Sequence, residues 1–157
     1  MHIKKLDHSF YPDHTHLKEV LDLREDGRWI KGKDRGYGIA VVTIDNLKFA
    51  IPLRSTIKHN AAYITVKSHL EDVHGKGLDY TKAILISDNK YISDENFLVP
   101  AEEHKILQSK ARHIVVKFEK YVEKYKKAVQ KQDHNILTST DYQHTTLVNY
   151  HKELGLE

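Results

Sequence analysis

Apolar positions run together in the first part of this chain and recur every third or fourth residue in the last part, which predicts a β-rich first half and an α-rich last third. Residues 35–44 (Arg-Gly-Tyr-Gly-Ile-Ala-Val-Val-Thr-Ile) are apolar on both faces, as a strand is at the centre of a sheet. Asp45-Asn46 makes a short turn. Residues 47–53 follow, with Leu47, Phe49, Ile51 and Leu53 on one face and Lys48, Ala50 and Pro52 on the other. Together the two segments predict a β-hairpin. Pro52 has no N–H to give to a ladder, so the second strand should lie at an edge there or stop. Arg54-Ser55-Thr56-Ile57-Lys58-His59-Asn60 then reads as a polar loop leaving a buried hairpin. Residues 61–66 and 82–87 are further strands, separated by a polar loop from Glu71 to Lys76 with Gly75 and Gly77 as punctuation. Asp88-Asn89 is another turn, and Tyr91-Ile92 a brief strand.

Pro100 suits the first turn of a helix, with Glu102 and Glu103 favourably near its N-terminal dipole. A long helix should run from about Ser109 to about Gln132. Its apolar stripe of Ala111, Ile114, Val115, Phe118, Tyr121, Val122, Tyr125, Ala128 and Val129 is core. A last helix, capped by Thr140-Asp141, carries Leu147, Tyr150 and Leu154 and ends at Gly155. The pattern is that of an α+β protein whose C-terminal third holds a long basic helix.

Composition narrows the function classes. A length of 157 residues suits a single domain spanning 1–157. Without Cys, there are no disulfides, thiolate metal sites or Cys nucleophiles. The N-terminus turns polar within a few positions, with no apolar run of a signal peptide, and Ile39-Ala40-Val41-Val42 is far too short for a membrane span. The expectation is a soluble, cytoplasmic protein with no membrane partner. A net charge of +3 points mildly toward a polyanion.

Two places offer chemistry. On the long helix Lys110, Lys117, Lys120, Lys124, Lys127 and Lys131 recur at steps that bring them close to one face. Such a row is a solvated surface softened by Glu119 and Glu123, or a face that follows an RNA backbone and releases counterions. The polar segment after the hairpin is the stronger candidate. There Arg54 can clamp a phosphate, Ser55 and Thr56 can donate to its oxygens, Lys58 can neutralise developing charge, and His59 can move a proton. Lys33, Arg35 and Tyr37 enter the preceding strand beside it. This set suffices in kind for RNA cleavage by its own 2′-hydroxyl, which needs a base, cations and an acid but no metal or other cofactor. His14-Thr15-His16 beside Asp13, and His69 and His74 around Glu71-Asp72, are the places a metal would be sought. They match no specific ligand pattern, and 12 His make such near-pairs expected by chance.

Several stretches resemble the TenpN-like branch of the ToxN/AbiQ superfamily, the protein toxins of type III toxin–antitoxin systems. They are Phe49-Ala50-Ile51-Pro52-Leu53-Arg54-Ser55 with Lys58-His59, and Gly77-Leu78-Asp79-Tyr80-Thr81-Lys82-Ala83. Phe118-Glu119-Lys120-Tyr121-Val122 with Tyr125-Lys126-Lys127-Ala128, and Tyr150-His151-Lys152-Glu153-Leu154-Gly155, complete the set. The resemblance implies a twisted antiparallel sheet wrapped by helices, loosely like the MazF/Kid toxins. It implies a metal-independent endoribonuclease that leaves a 2′,3′-cyclic phosphate. It further implies inhibition by a small pseudoknotted antitoxin RNA with repeats, often in a closed protein–RNA hetero-oligomer, and a role in phage defence. Residue by residue, Ser55 takes the place of the family's Ser. Arg54 stands where the family has Thr, and Lys58 comes slightly later than the family's Lys. Lys33 or Arg35 is nearest to the family's Lys before the central strand, and Tyr11 corresponds to its early Tyr.

The expectation is therefore a toxin endoribonuclease with Arg54, Ser55, Lys58, Lys33 and His59 at the chemistry. Tyr11, Arg35, Tyr37, Thr56, Lys117, Lys120, Lys124, Lys127 and Lys131 would bind RNA. Two other classes are a non-catalytic RNA-binding module and a hydrolase using a His-held metal.

Overall fold

In the computed structural model, which describes residues 1–28 and 37–157, the strands form one antiparallel sheet. Along the chain come β1 (Ile3–Leu6), α1 (Phe10–Asp13), β2 (Gly38–Ile44), β3 (Leu47–Ile57), β4 (Ala62–Lys67), β5 (Gly75–Asp79), β6 (Ile84–Leu85) and β7 (Ile92–Asn96). The helices α2 (Ala101–Ser109), α3 (Ala111–Lys131) and α4 (His134–Leu137) follow. The strand order is β4-β5-β3-β2-β1-β7, with β6 paired to β3 as well. The architecture is α+β. No helix among the described residues is long and apolar enough to cross a membrane.

The two-faced apolar run becomes β2 because each of its faces meets a different apolar cluster. Ala40, Val42 and Ile44 join Phe49 and Ile51 against Ile114, Phe118 and Val122 of α3. Ile39 and Ala50 turn to the other face and pack with Leu6, Phe10, Tyr11 and Ile84. In α3, Ile114, Phe118, Tyr121, Val122, Tyr125 and Ala128 are buried at helical spacing. The helix ends where Gln132 takes a left-handed conformation and Asp133 donates back to the Ala128 carbonyl at 2.8 Å.

Three expectations need correction. Pro52 does not end its strand: it is buried, opposite Ile39, and β3 continues to Ile57, but on its other side it falls in the gap between the β6 partner of Ala50 and the β5 partner of Leu53. The proline marks the place where β3 passes from β2 to a new partner, β5, at Leu53. The glycines of the supposed 71–76 loop and its edge instead build β5. A β-carbon on Gly77 would come within 1.9 Å of the Tyr63 carbonyl oxygen, and one on Gly75 within 2.1 Å of that of Val66. These glycines are there because the β4 backbone passes too close for any side chain. Finally, no continuous helix spans 140–155. A short 3₁₀ turn at Thr146–Asn149 and further turns place Leu147, Tyr150 and Leu154 in the core.

Candidate functional site

The end of β3 is irregular. Arg54 pairs with Gly77 and Ile57 with Gly75, so β3 takes three steps while β5 takes two. The surplus residue is a β-bulge, which interrupts alternation and re-aims side chains. Ser55 and Thr56 are consecutive and both exposed, whereas Ile57 is fully buried beside them. Lys58, the next residue, is exposed too. The polar segment is thus a bulged strand end followed by a turn.

Asp79, at the end of β5, organises what lies behind this surface. Its side chain is wholly buried. Oδ1 accepts the Thr81 backbone N–H at 2.9 Å and the Thr81 hydroxyl at 2.6 Å, capping the 3₁₀ turn Tyr80–Lys82. His59 Nε2 lies 3.1 Å from the same oxygen. Oδ2 accepts from Nη1 of Arg54 at 2.8 Å. Burial would raise the Asp79 pKa, but the donors from His59, Thr81 and Arg54 outweigh it and hold the carboxyl below its ordinary value.

His59 has both nitrogens engaged. Nδ1 accepts the Ala61 N–H at 3.1 Å, which by its geometry puts the ring proton on Nε2, facing Asp79. In this arrangement the imidazole clips the turn together, and the acid–base role expected of it has no nitrogen to spare. The turn is fastened further. Asn60 N–H donates to Asp141 Oδ1 at 3.1 Å, Tyr80 N–H to the Ala61 carbonyl at 3.1 Å, and Lys117 Nζ to the Ala62 carbonyl at 2.7 Å. Lys82 crosses to the N-terminal segment and donates to the carbonyls of Glu19, at 2.7 Å, and His144, at 2.9 Å. Burial lowers its pKa.

The structure brings Arg54 and His59 together on Asp79, leaves Ser55, Thr56 and Lys58 exposed in the same segment, and buries Tyr11 and the Tyr37 hydroxyl elsewhere. Lys33 and Arg35 lie outside the described residues. Tyr11 is only 2% exposed, packed in the second apolar cluster by the single turn of α1, and offers RNA no surface. The Tyr37 hydroxyl is also interior, and burial raises its pKa well above the ordinary value. Neither phenol is placed to meet a ligand. Lys117 turns inward to Ala62, leaving Lys120, Lys124, Lys127 and Lys131 to line one surface groove with Asp133 and Ile136. At 1.5 Å per residue, Lys131 lies about 20 Å along the helix axis from Lys117, so the lysine row leads away from the bulge.

Sequence reasoning quoted Asp79, Thr81 and Lys82 only within a family-like stretch and gave them no role in the site. A signal was present in Asp79-Tyr80-Thr81, where an Asp two residues before a Thr is a local capping pattern. Among the described residues no group of three or more His, Asp or Glu is gathered to hold a metal ion. His14 stacks on Phe10 at 3.9 Å, with its Nδ1 2.7 Å from the Phe10 carbonyl oxygen. No protein-family model, curated protein or solved structure matches the chain.

Proposed function

We propose that this protein is the toxin of a type III toxin–antitoxin system, of the ToxN/AbiQ superfamily and loosely MazF/Kid-like in fold. In this reading it is a metal-independent endoribonuclease acting in the cytoplasm, with a folded, repeat-containing antitoxin RNA as its inhibitor. One observation carries the reading: a β-bulge presents two hydroxyls, Ser55 and Thr56, and the exposed Lys58, next to an Arg54 braced by a buried carboxylate. This is a surface for a phosphodiester.

The reaction is an internal transfer. The 2′-oxygen bonds to phosphorus, the bond from phosphorus to the 5′-oxygen breaks, the 2′-hydroxyl proton leaves to a base, and the leaving oxygen takes one from an acid. Arg54 and Lys58 stabilise charge on the phosphorane oxygens, and Ser55 and Thr56 donate to them. Lys33 and Arg35 remain candidates for further cations. Lys120, Lys124, Lys127 and Lys131 take the backbone of the longer antitoxin RNA, which covers the same surface.

Incubation of the purified protein with RNA in EDTA tests this. Fragments with 2′,3′-cyclic phosphate ends are expected, reduced about 100-fold or more by Ser55→Ala or Lys58→Ala. Growth arrest on expression, relieved by a short repeat-containing transcript, is the cellular counterpart. Intact RNA together with harmless expression overturns the proposal. Binding without cleavage moves the protein to the RNA-binding modules.

A further inference from the structure

We propose that Asp79 is the positioning residue of this site: its buried carboxylate holds one nitrogen of Arg54 so that the remaining N–H groups of the guanidinium meet a phosphate at the Ser55–Lys58 surface. This rests on the reading that the surface takes RNA.

The ion pair is asymmetric. The Asp79 side chain is 0% exposed while that of Arg54 is 31% exposed. A guanidinium has five N–H donors, and Asp79 is the only acceptor Arg54 meets among the described residues, through Nη1 alone. The pair encloses the acid and leaves part of the base at the surface, in a segment whose next polar residues, Ser55, Thr56 and Lys58, are exposed.

The carboxylate is itself aimed. Thr81 supplies two donors to Oδ1 and His59 approaches the same atom, so Oδ2 is the oxygen left for Arg54. His59 is in turn fixed by the Ala61 N–H. The chain of constraint runs from the turn, through the carboxylate, to the guanidinium. An arginine on a bulge would otherwise spread over many rotamers, and ordering it in advance removes that entropy from the binding step.

Charge alone predicts the opposite result, which makes the proposal decisive. Asp79 is an anion in a site for a polyanion, so removing its charge should tighten RNA binding if it does nothing else. Asp79→Asn keeps the shape, and the amide oxygen can still accept from Thr81 and His59. Its NH₂ then faces the Arg54 donor, and the guanidinium loses its anchor.

The test is binding of a fluorescent 2′-O-methyl RNA oligonucleotide, which lacks the attacking hydroxyl, to the full-length protein, with cleavage of the unmodified RNA read in parallel. Asp79→Asn is expected to weaken binding about tenfold and to add nothing in an Arg54→Ala background. Thr81→Val, isosteric but without the hydroxyl, should weaken it in the same direction, and Thr81→Ser should restore it. Tighter or unchanged binding by Asp79→Asn overturns the proposal, and so do additive losses with Arg54→Ala or an oligonucleotide that the wild type does not bind. If Asp79→Asn does not fold, unchanged binding by Thr81→Val overturns it. Should the wild type bind the oligonucleotide through the Asp79–Arg54 coupling yet leave RNA uncut, the endoribonuclease reading fails and this one stands.

Discussion

The Lys117 ammonium lies 2.7 Å from the carbonyl oxygen of Ala62, which fastens α3 to the turn that follows Lys58. The exposed lysines further along the same helix are surface groups, so members of one sequence pattern do different work.

Lys117→Met keeps most of the stem and removes the donor, leaving the carbonyl of the buried Ala62 without it. We expect a loss of about 1–3 kcal/mol in urea unfolding, with the slope of the transition unchanged. Lys124→Ala should change stability by less than about 0.5 kcal/mol. In RNA binding the two should exchange ranks: Lys124→Ala lowers the salt slope by about 1, while Lys117→Met leaves it in place. Equal slopes for all three proteins would remove the helix from the RNA surface.

Gly77→Ala places a methyl group 1.9 Å from the Tyr63 carbonyl oxygen, in a ladder where both neighbours are backbone. Separation of β4 from β5 should cost about 3 kcal/mol or more. Gly155→Ala is the control: its φ of +73° is strained for alanine, but nothing lies within 4 Å, so the loss should be about 1 kcal/mol. Comparable midpoints for the two variants would contradict the close approach.

Acid should reveal Asp79. Its folded pKa is below the ordinary 3.8, so between those two values the unfolded chain holds more protons than the folded one. Stability therefore rises with pH through that window, and the contribution of Asp79 is lost as pH falls through the folded pKa. In Asp79→Asn the fall in stability below about pH 4 should be shallower than in the wild type. Urea midpoints at several acidic pH values measure this, and parallel curves would contradict the assigned ionisation.

Ser55→Ala and Lys58→Ala alter exposed side chains, so their melting temperatures should match the wild type while RNA cleavage collapses. A melting temperature lowered in step with activity would make these residues structural.

The sequence speaks most plainly where local pattern and burial coincide. The two-faced run of β2 and the apolar stripe of α3 are legible because each needs only its own period. The exposure of Ser55, Thr56 and Lys58 was legible as polarity. Asp79 was not, because its partners Arg54 and His59 lie 25 and 20 positions earlier and meet it only once β3 and β5 pair. Glycine at 75 and 77 looked like punctuation because its other use, close passage of a neighbouring backbone, depends on a strand that sequence spacing does not locate. Tyr11 and Tyr37 misled for the reverse reason: a phenol reads as a polar contact until packing encloses it.

β3 pairs with β2 and β6 along its first half and with β5 along its second, and that fixes where this molecule can vary. One residue gained or lost before Pro52 would turn every following side chain to the opposite face, exchanging the hydroxyl-bearing tip with its buried neighbours. The stretch from 69 to 73, inside the hydrogen bond from Ser68 N–H to the His74 carbonyl, bears no such obligation, since it lies beyond both registers. Lineages that diversify this protein are therefore free to lengthen or recolour that outer hairpin tip, while the strand that carries both interior and tip must keep its count.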